Sequence, residues 1–228
     1  MMIDPSTYGE MYLKGKNAAQ LVTEIRRWKR EIGWLKNIAE NPDDRCKVNP
    51  SEEVRISCIR KYIAVAKKAL AEAGGTYTPS RAERKDEEVN ANLPHLLRLE
   101  LSIGGYFGGF ETRTFTVCGD TVKGDITHSM IQKPSYLYDP DDEICKEDFL
   151  EGLIDLHIGE WRRCYDPRRF GYEVMDGTQW QLDLYFSNGY RHIKIHGSNS
   201  YPYNFDKLLA LLNIDPWSVE EENDEDEK

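Results

Sequence analysis

The sequence predicts an α+β protein, in which an antiparallel helical hairpin precedes a mainly antiparallel β-sheet with two helices packed on it. Three observations predict this class. Apolar residues recur at steps of three and four in the first third of the chain, which is typical of amphipathic helices. From about residue 97 they alternate with polar residues, which is typical of half-buried strands. Asn188-Gly189 lies between two such alternating segments and predicts a hairpin with a two-residue type I′ turn.

The first helix is predicted to begin after Asn17 and to end before Asn41-Pro42. Asn17 and Gln20 have the spacing of a capping box, and a residue that precedes proline is disfavoured in the α region. The apolar positions of this helix form a heptad-like seam: Leu21, Ile25, Trp28, Ile32, Leu35 and Ala39.

The second helix is predicted to begin after the N-cap Ser51 and to stop at Gly74-Gly75. Its seam comprises Ile56, Ile59, Ile63, Ala66, Leu70 and Ala73. A connection of about ten residues between two long helices favours an antiparallel pair. The segment "SRAERKDEEV" predicts a short third helix that begins with a capping box.

The sheet is predicted from five alternating segments. In the first, Leu97, Leu99, Leu101 and Ile103 are expected to face inward. Phe110–Val117 and Val122–Thr127 follow, and "WQLDLYF" and "YRHIKIH" flank the Asn-Gly turn. A helix is expected from Glu147 or Asp148 to about Arg163, and "NFDKLLALLNI" is expected to form a closing helix.

Composition divides the chain into a basic helical hairpin region (residues 1–90), an α+β sheet domain (91–216) and an acidic, disordered tail (217–228). Between Lys14 and Lys85 there are 17 basic and 9 acidic residues, whereas Asp86 to Lys228 holds 13 basic and 29 acidic ones. Such a split is compatible with a nucleic-acid surface, with internal electrostatic docking or with solvated surfaces.

Composition also argues against several classes of protein. The five cysteines form no CxxC pair, which favours reduced thiols in the cytoplasm over a disulfide framework or a zinc site. No apolar run approaches the roughly 20 residues of a membrane span, and the start of the sequence lacks the order of a signal peptide. We therefore expect a cytoplasmic protein without membrane association.

The glycine-rich stretch "SIGGYFGGFETRTFTV" is interpreted as a turn rather than a phosphate loop. A phosphate loop requires a helix after the glycines, but the following residues alternate as a strand, and no Lys-Ser/Thr closes the motif. Tyr106 and Phe107 lie at the tip of this turn. Two interpretations stay open for them: an exposed recognition element, or aromatic rings folded back over the sheet.

No metal site, cofactor or catalytic group is predicted. His192 and His196 share a strand face but lie about 13 Å apart at this spacing, and His157 lies on the predicted helix with no partner one turn away. No GxSxG motif occurs. Cys164 lies among arginines that favour a thiolate, although a spectator cysteine is the favoured interpretation.

Candidate binding residues fall into two sets. In the sheet domain, "WRRCYDPRR" is interpreted as a clamp for an acidic ligand or, preferably, as internally paired arginines. "GSNSYPYNF" is interpreted as a ligand rim or, preferably, as a cap provided by Asn204, and Glu111 with Arg113 as a surface pair. The residues of this set are Tyr106, Phe107, Arg113, Arg162, Arg163, Arg168, Arg169, Tyr201, Tyr203 and Asn204.

The second set is basic and lies on the helical hairpin. Its cations could neutralise several phosphates, and its exposed indole could stack on a base. A solvated face docked on the acidic half of the chain is the favoured alternative. The residues of this set are Arg26, Arg27, Lys29, Arg30, Trp34, Lys36, Arg60, Lys61, Lys67 and Lys68.

Two segments carry a resemblance to known sequences. "SIGGYFGGFETRTFTV" and "DGTQWQLDLYFSNGYRHIKIHGSNSYPYNFDKL" resemble a group of bacterial proteins of unknown function, which also begin with a "YGEMYLKGK"-like lead into a helical hairpin. The resemblance covers most of the chain. It implies no catalytic residue and no cofactor.

The leading functional hypothesis is a non-enzymatic cytoplasmic interaction protein that contacts a protein partner through the hairpin, the Tyr106–Phe107 tip and the acidic tail. A narrower form is an inhibitor of a nucleic-acid-handling enzyme, whose acidic surface imitates phosphates. Two alternatives stay open. One is nucleic-acid binding by the basic hairpin, and the other is an enzyme with a site near Arg162–Arg169 and Gly197–Phe205.

Overall fold

The computed structural model describes residues 3–41, 50–105, 108–130, 144–174 and 176–214. The chain divides into two compact units, Met1–Ser80 and Arg81–Lys228. This boundary lies before the predicted one at residue 90, because the third helix packs on the second unit. Tyr106, Phe107 and the predicted acidic tail lie outside the described residues.

The described residues of the first unit form three α-helices, α1 (Pro5–Tyr8), α2 (Ala18–Ala39) and α3 (Glu52–Glu72), with a π-helical segment at Gly9–Leu13. The predicted capping box of α2 is confirmed, since Asn17 and Gln20 bond reciprocally through side chain and backbone. Ser51 caps α3 by accepting a hydrogen bond from the Val54 N–H at 3.4 Å.

Helices α2 and α3 are antiparallel. Residues late in α2 contact residues early in α3, as in the ion pair between Glu31 and Arg55 (3.4 Å), while Trp28 packs near Tyr62 with ring centroids 5.4 Å apart. Tyr8 of α1 stacks on Tyr62 at 4.4 Å and accepts a hydrogen bond from Trp28 Nε1 at 2.6 Å. The predicted seams therefore face each other, and most of their apolar residues are buried.

The second unit begins with α4 (Arg81–Asn92), followed by β1 (Leu96–Gly105), β2 (Gly109–Cys118), β3 (Thr121–His128) and β4 (Ile144–Cys145). It continues with α5 (Lys146–Asp155), β5 (Cys164–Tyr165), β6 (Gln179–Phe186), β7 (Ile193–Ser198) and α6 (Phe205–Leu211). The strands form one sheet in the order β4-β3-β2-β1-β6-β7-β5, antiparallel throughout except for the β5–β7 pair. The α+β class is confirmed.

One face of this sheet is apolar and packs against α5 and α6. Leu99, Leu101 and Phe115 are buried there with Phe149 of α5 and Leu208 of α6. The opposite face carries polar side chains, since residues alternate between the faces of a strand. This polar face includes Ser102, Gln181 and His196, which are neighbours in register across β1, β6 and β7.

The prediction that Leu97 faces inward was wrong. The register shifts between Leu96 and Arg98, so that Leu96 is buried and Leu97 is 48% exposed. A β-bulge of this kind adds one residue to a strand and reverses the facing of the residues before it.

The prediction that a helix reaches Arg163 was also wrong. Helix α5 ends at Asp155, and His157 adopts a left-handed conformation (φ 51°, ψ 47°) before a 3₁₀ turn at Ile158–Glu160. The predicted inward residues Leu156 and Trp161 are nevertheless buried.

The turn at Asn188-Gly189 is not of type I′. That type requires positive φ at both central residues, whereas only Gly189 has it here (φ 78°). Asn188 instead accepts a hydrogen bond from the Tyr190 N–H through its side chain at 3.0 Å. The register of β6 and β7 still matches a two-residue connection, because Leu184 pairs with Ile193.

Candidate functional site

The outer face of α2 carries an exposed basic and aromatic surface. Arg26, Arg30 and Trp34 follow one another at intervals of four residues, so their side chains lie along one line of the helix. Both arginines are exposed, and the Trp34 side chain is 56% exposed. We call Arg26, Arg30 and Trp34 the α2 stripe.

The carboxylates of α2 are directed away from this stripe. Glu24 pairs with Lys16 at 2.6 Å and with Arg27 at 3.1 Å, and Glu31 pairs with Arg55 of α3 at 3.4 Å. Within the described part of the chain, Arg26 and Arg30 make no ion pair or hydrogen bond. The stripe therefore presents two positive charges that the described residues of the hairpin do not neutralise.

The other basic residues of the predicted nucleic-acid set do not extend this stripe. Lys29 donates to Tyr77 Oη at 2.7 Å, and the Lys67 ammonium lies 4.5 Å from the centre of the same ring. Lys36 and Arg60 are half-buried.

Lys61 and Lys68 are exposed but lie on the outer face of α3. Each outer face is opposite the seam of its own helix, and the two seams face each other, so the exposed lysines and the α2 stripe lie on opposite sides of the hairpin. The ten residues thus do not form one phosphate-binding surface.

A shallow groove of about 510 Å³ lies on the polar face of the sheet. It brings together Cys164 and Arg168 from one of the segments predicted for an enzymatic site, and Gly197 and Ser198 from the other. Cys164 and His196 are direct neighbours in the parallel β5–β7 ladder. The groove does not include Arg162, Tyr201 or Asn204.

The arginine cluster is partly paired within itself, as the favoured interpretation predicted. Arg168 donates to both oxygens of Asp166, at 3.1 and 2.9 Å from Nε. The hydrogen bonds from Arg168 hold the pKa of Asp166 below its ordinary value, and the same contact raises the pKa of Arg168. Arg169 lies over the ring of Phe170, while Arg162 and Arg163 are exposed.

Asn204 does not cap the last helix through its side chain, so that prediction was wrong. It is buried, and its Nδ2 donates to the carbonyl of Leu156 at 2.9 Å. Tyr201 stacks on Trp180 in the same region, and Tyr203 is half-buried. These three residues pack the sheet unit rather than line the groove.

Glu111 and Arg113 form the predicted pair, with Arg113 Nε 2.5 Å from Glu111 Oε1, but it is not a surface pair. Arg113 is only 4% exposed, because it lies on the helix-covered face of β2. Its guanidinium also donates to the carbonyl of Asn213, after α6, at 3.4 Å.

Sequence reasoning missed two clusters that join distant residues. Asp183 accepts from His192 at 2.6 Å, and the His192 ring stacks on Tyr185 at 4.4 Å. In the second cluster, Asp86 of α4 contacts His157 at 2.6 Å, near Glu160. No local sequence signal marks the contact between Asp86 and His157, because these residues are brought together only by the packing of α4.

In the described part of the chain, no helix combines the length and apolar character needed to cross a bilayer. Comparison with protein-family models, with curated proteins and with solved structures found no match. The resemblance to the bacterial group stays a prediction.

Proposed function

We propose that this protein is a non-enzymatic interaction protein, and that its α2 stripe binds an acidic surface of a partner protein. The observation that carries this proposal is the exposure of Arg26, Arg30 and Trp34 on one line of α2 while the carboxylates of the same helix pair elsewhere. Arginine and tryptophan are the residue types that most often dominate the binding energy of protein interfaces.

A protein partner fits this surface better than a nucleic acid. Affinity for nucleic acids grows with the number of phosphates that are neutralised. The stripe offers two arginines that no described residue neutralises, which is a small number for a nucleic-acid surface. Lys29 and Lys67 are engaged with Tyr77, and the exposed lysines of α3 face the other way. A partner with clustered carboxylates around an apolar recess would match both the guanidinium groups and the indole.

A photo-crosslinking amino acid in place of Trp34 tests this proposal in cells that produce the protein. We expect one discrete protein adduct, because the indole lies at the end of the stripe. The matched control places the same amino acid at Ser57, which is exposed on the outer face of α3. An equal adduct from position 57, or none from position 34, contradicts the proposal.

Fluorescence anisotropy separates the two partner classes. We expect no salt-sensitive binding of labelled RNA, single-stranded DNA or duplex DNA at low or moderate salt. Binding that weakens steeply with salt and is lost in Arg26→Glu would assign the stripe to nucleic acid instead.

The groove on the sheet supports a second candidate function, an enzyme with a cysteine nucleophile. Cys164 and His196 are neighbours in the ladder and line the same groove, so the imidazole could accept the thiol proton. This candidate predicts that iodoacetamide alkylates Cys164 faster than the exposed Cys118, and that His196→Gln removes the difference. Equal rates for both thiols would exclude it.

We further propose a cytoplasmic location. Cys58, Cys118, Cys145 and Cys164 are free thiols, and such thiols persist in a reducing compartment.

A further inference from the structure

The contact between α4 and the 3₁₀ turn at Ile158–Glu160 gathers three side chains of the kind that bind metal ions. Asp86 is only 6% exposed, and its Oδ2 lies 2.6 Å from His157 Nδ1. One ligand atom each from Asp86, His157 and Glu160 lies within 4.8 Å of the other two. Two carboxylates and an imidazole form a mixed oxygen and nitrogen donor set.

The backbone holds these groups close together. The N–H of Gly159 donates to Asp86 Oδ1 at 3.1 Å, which orients the carboxylate. A Cβ at Gly159 would lie 2.3 Å from Asp86 Cα, so the turn and α4 approach as closely as only glycine permits. His157 adopts its left-handed conformation at the same point.

A fourth polar side chain lies beside the Asp86 carboxylate. Asn90, one turn further along α4, has its Nδ2 3.5 Å from Asp86 Oδ2. Its Oδ1 is buried and, among the described residues, accepts no hydrogen bond. The Asn90 amide therefore borders the cluster through its contact with Asp86.

We propose that Asp86, His157 and Glu160 bind a divalent first-row transition-metal ion. Mixed imidazole and carboxylate donors suit Mn²⁺, Co²⁺ and Zn²⁺. They suit Ca²⁺ less well, because it takes oxygen ligands, and they suit thiophilic ions less well, because the site offers no sulfur. The ion ties α4 to the turn that follows α5, and water fills its remaining positions.

Nearby cations limit the affinity of this site. Lys85 lies beside Asp86 in sequence, and its Nζ donates to the carbonyl of Trp161 at 3.2 Å. The positive charges of Arg163 and Arg191 lie close enough to act on Lys85. We therefore expect weaker binding than at a closed zinc site with four protein ligands.

Titration of the full-length protein with Co²⁺, followed by visible absorption, tests the proposal. We expect one equivalent to bind, with weak d–d bands and without the intense near-ultraviolet band that thiolate ligands add. Saturation should raise the melting temperature by about 5 °C. Glu160→Gln, at a half-exposed position, should weaken binding at least about tenfold.

Two further variants complete the test. Asp86→Asn should abolish binding, and circular dichroism checks that it folds. Glu88→Gln is the matched control, because Glu88 is exposed on the same helix and faces Arg191 at 3.8 Å. It should bind Co²⁺ as the natural protein does. The absence of binding, a thiolate band, or equal affinity in natural protein and Glu160→Gln would overturn the proposal.

Discussion

The two units of this protein use their charged side chains differently. In the sheet unit, several charged groups are buried in specific contacts: Arg113 with Glu111, Asp86 with His157, and Asp183 with His192. In the helical hairpin, Arg26 and Arg30 stay exposed while neighbouring carboxylates bond elsewhere.

We interpret this difference as one between charges that stabilise the fold and charges that are available for binding. A buried ionised group is costly unless it is paired and hydrogen-bonded, so removing one partner should destabilise the fold. An exposed arginine without a partner contributes little to stability, so its presence on an acid-free line of α2 requires another explanation. Binding is the explanation that we propose.

The largest effect is expected at the contact between α4 and its neighbouring turn. Gly159→Ala forces a Cβ against the backbone of Asp86, and we expect it to lower the free energy of unfolding by about 3 kcal/mol. Gly33→Ala in α2 is the matched control, since nothing lies within 4 Å of its added Cβ. In urea unfolding, this control should raise the free energy of unfolding by about 0.5 kcal/mol. Equal stability of the two variants would show that the close approach is not rigid.

A smaller loss is expected when the buried arginine is removed. Arg113→Met leaves Glu111 without its partner. Because Glu111 is partly exposed, its charge stays partly solvated, and we expect the free energy of unfolding to fall by about 2 kcal/mol. Arg26→Met should change stability by less than about 0.5 kcal/mol. If both changes had the same cost, the proposed division between structural and exposed arginines would fail.

Alkaline pH should weaken the hairpin through Tyr8. Burial raises the pKa of Tyr8 above its ordinary value of 10.0. The neutral phenol therefore stabilises the fold fully below pH 10, and this contribution is lost as the pH rises through the pKa of the folded state. Tyr8→Phe should flatten the fall in melting temperature above pH 10. At neutral pH it should cost about 1 kcal/mol, because Trp28 Nε1 loses its acceptor.

The smallest effect on stability is expected at the stripe itself. Trp34→Ala removes an exposed ring that contacts the Arg55 guanidinium, which lies 5.8 Å from the centre of the ring. We expect this change to lower the free energy of unfolding, measured in urea, by less than about 0.5 kcal/mol. A loss above 1 kcal/mol would make Trp34 a structural residue and would remove the indole from the proposed interface.

Features set by neighbouring residues could be predicted from the sequence. The capping box at Asn17 and Gln20, the N-cap Ser51 and the stop at Gly74-Gly75 depend only on local hydrogen bonds and backbone preferences, and the structure confirms each. The alternation of apolar residues likewise predicted the strands, because one face of the sheet must be buried.

Features set by distant contacts could not be predicted. Leu97 fits the alternation, yet a bulge that depends on pairing with β6 turns it outward. The apolar period continues past Asp155, but His157 leaves the helix where Asp86 and the α4 backbone meet it. Arg113 looked like a surface residue because no sequence signal shows that the segment after α6 covers it.

The same limit applied to the candidate site. Charge along the sequence located the basic residues on the two helices, but it could not show which of them face each other. Only the structure shows that Lys29 and Lys67 meet at Tyr77 and that Arg26 and Arg30 are left exposed.

The most direct test of the account reverses charge on each side of the hairpin in turn. Arg26→Glu/Arg30→Glu and Lys61→Glu/Lys68→Glu change the net charge equally, and all four positions are exposed. The adduct formed by a crosslinking amino acid at position 34 is then measured in both backgrounds, together with the melting temperature. We predict that the Arg26→Glu/Arg30→Glu variant loses the adduct and that the Lys61→Glu/Lys68→Glu variant keeps it. Both variants should have the melting temperature of the protein with its natural charges. An adduct that survives the arginine reversal, or that both reversals abolish equally, would contradict a binding surface on α2.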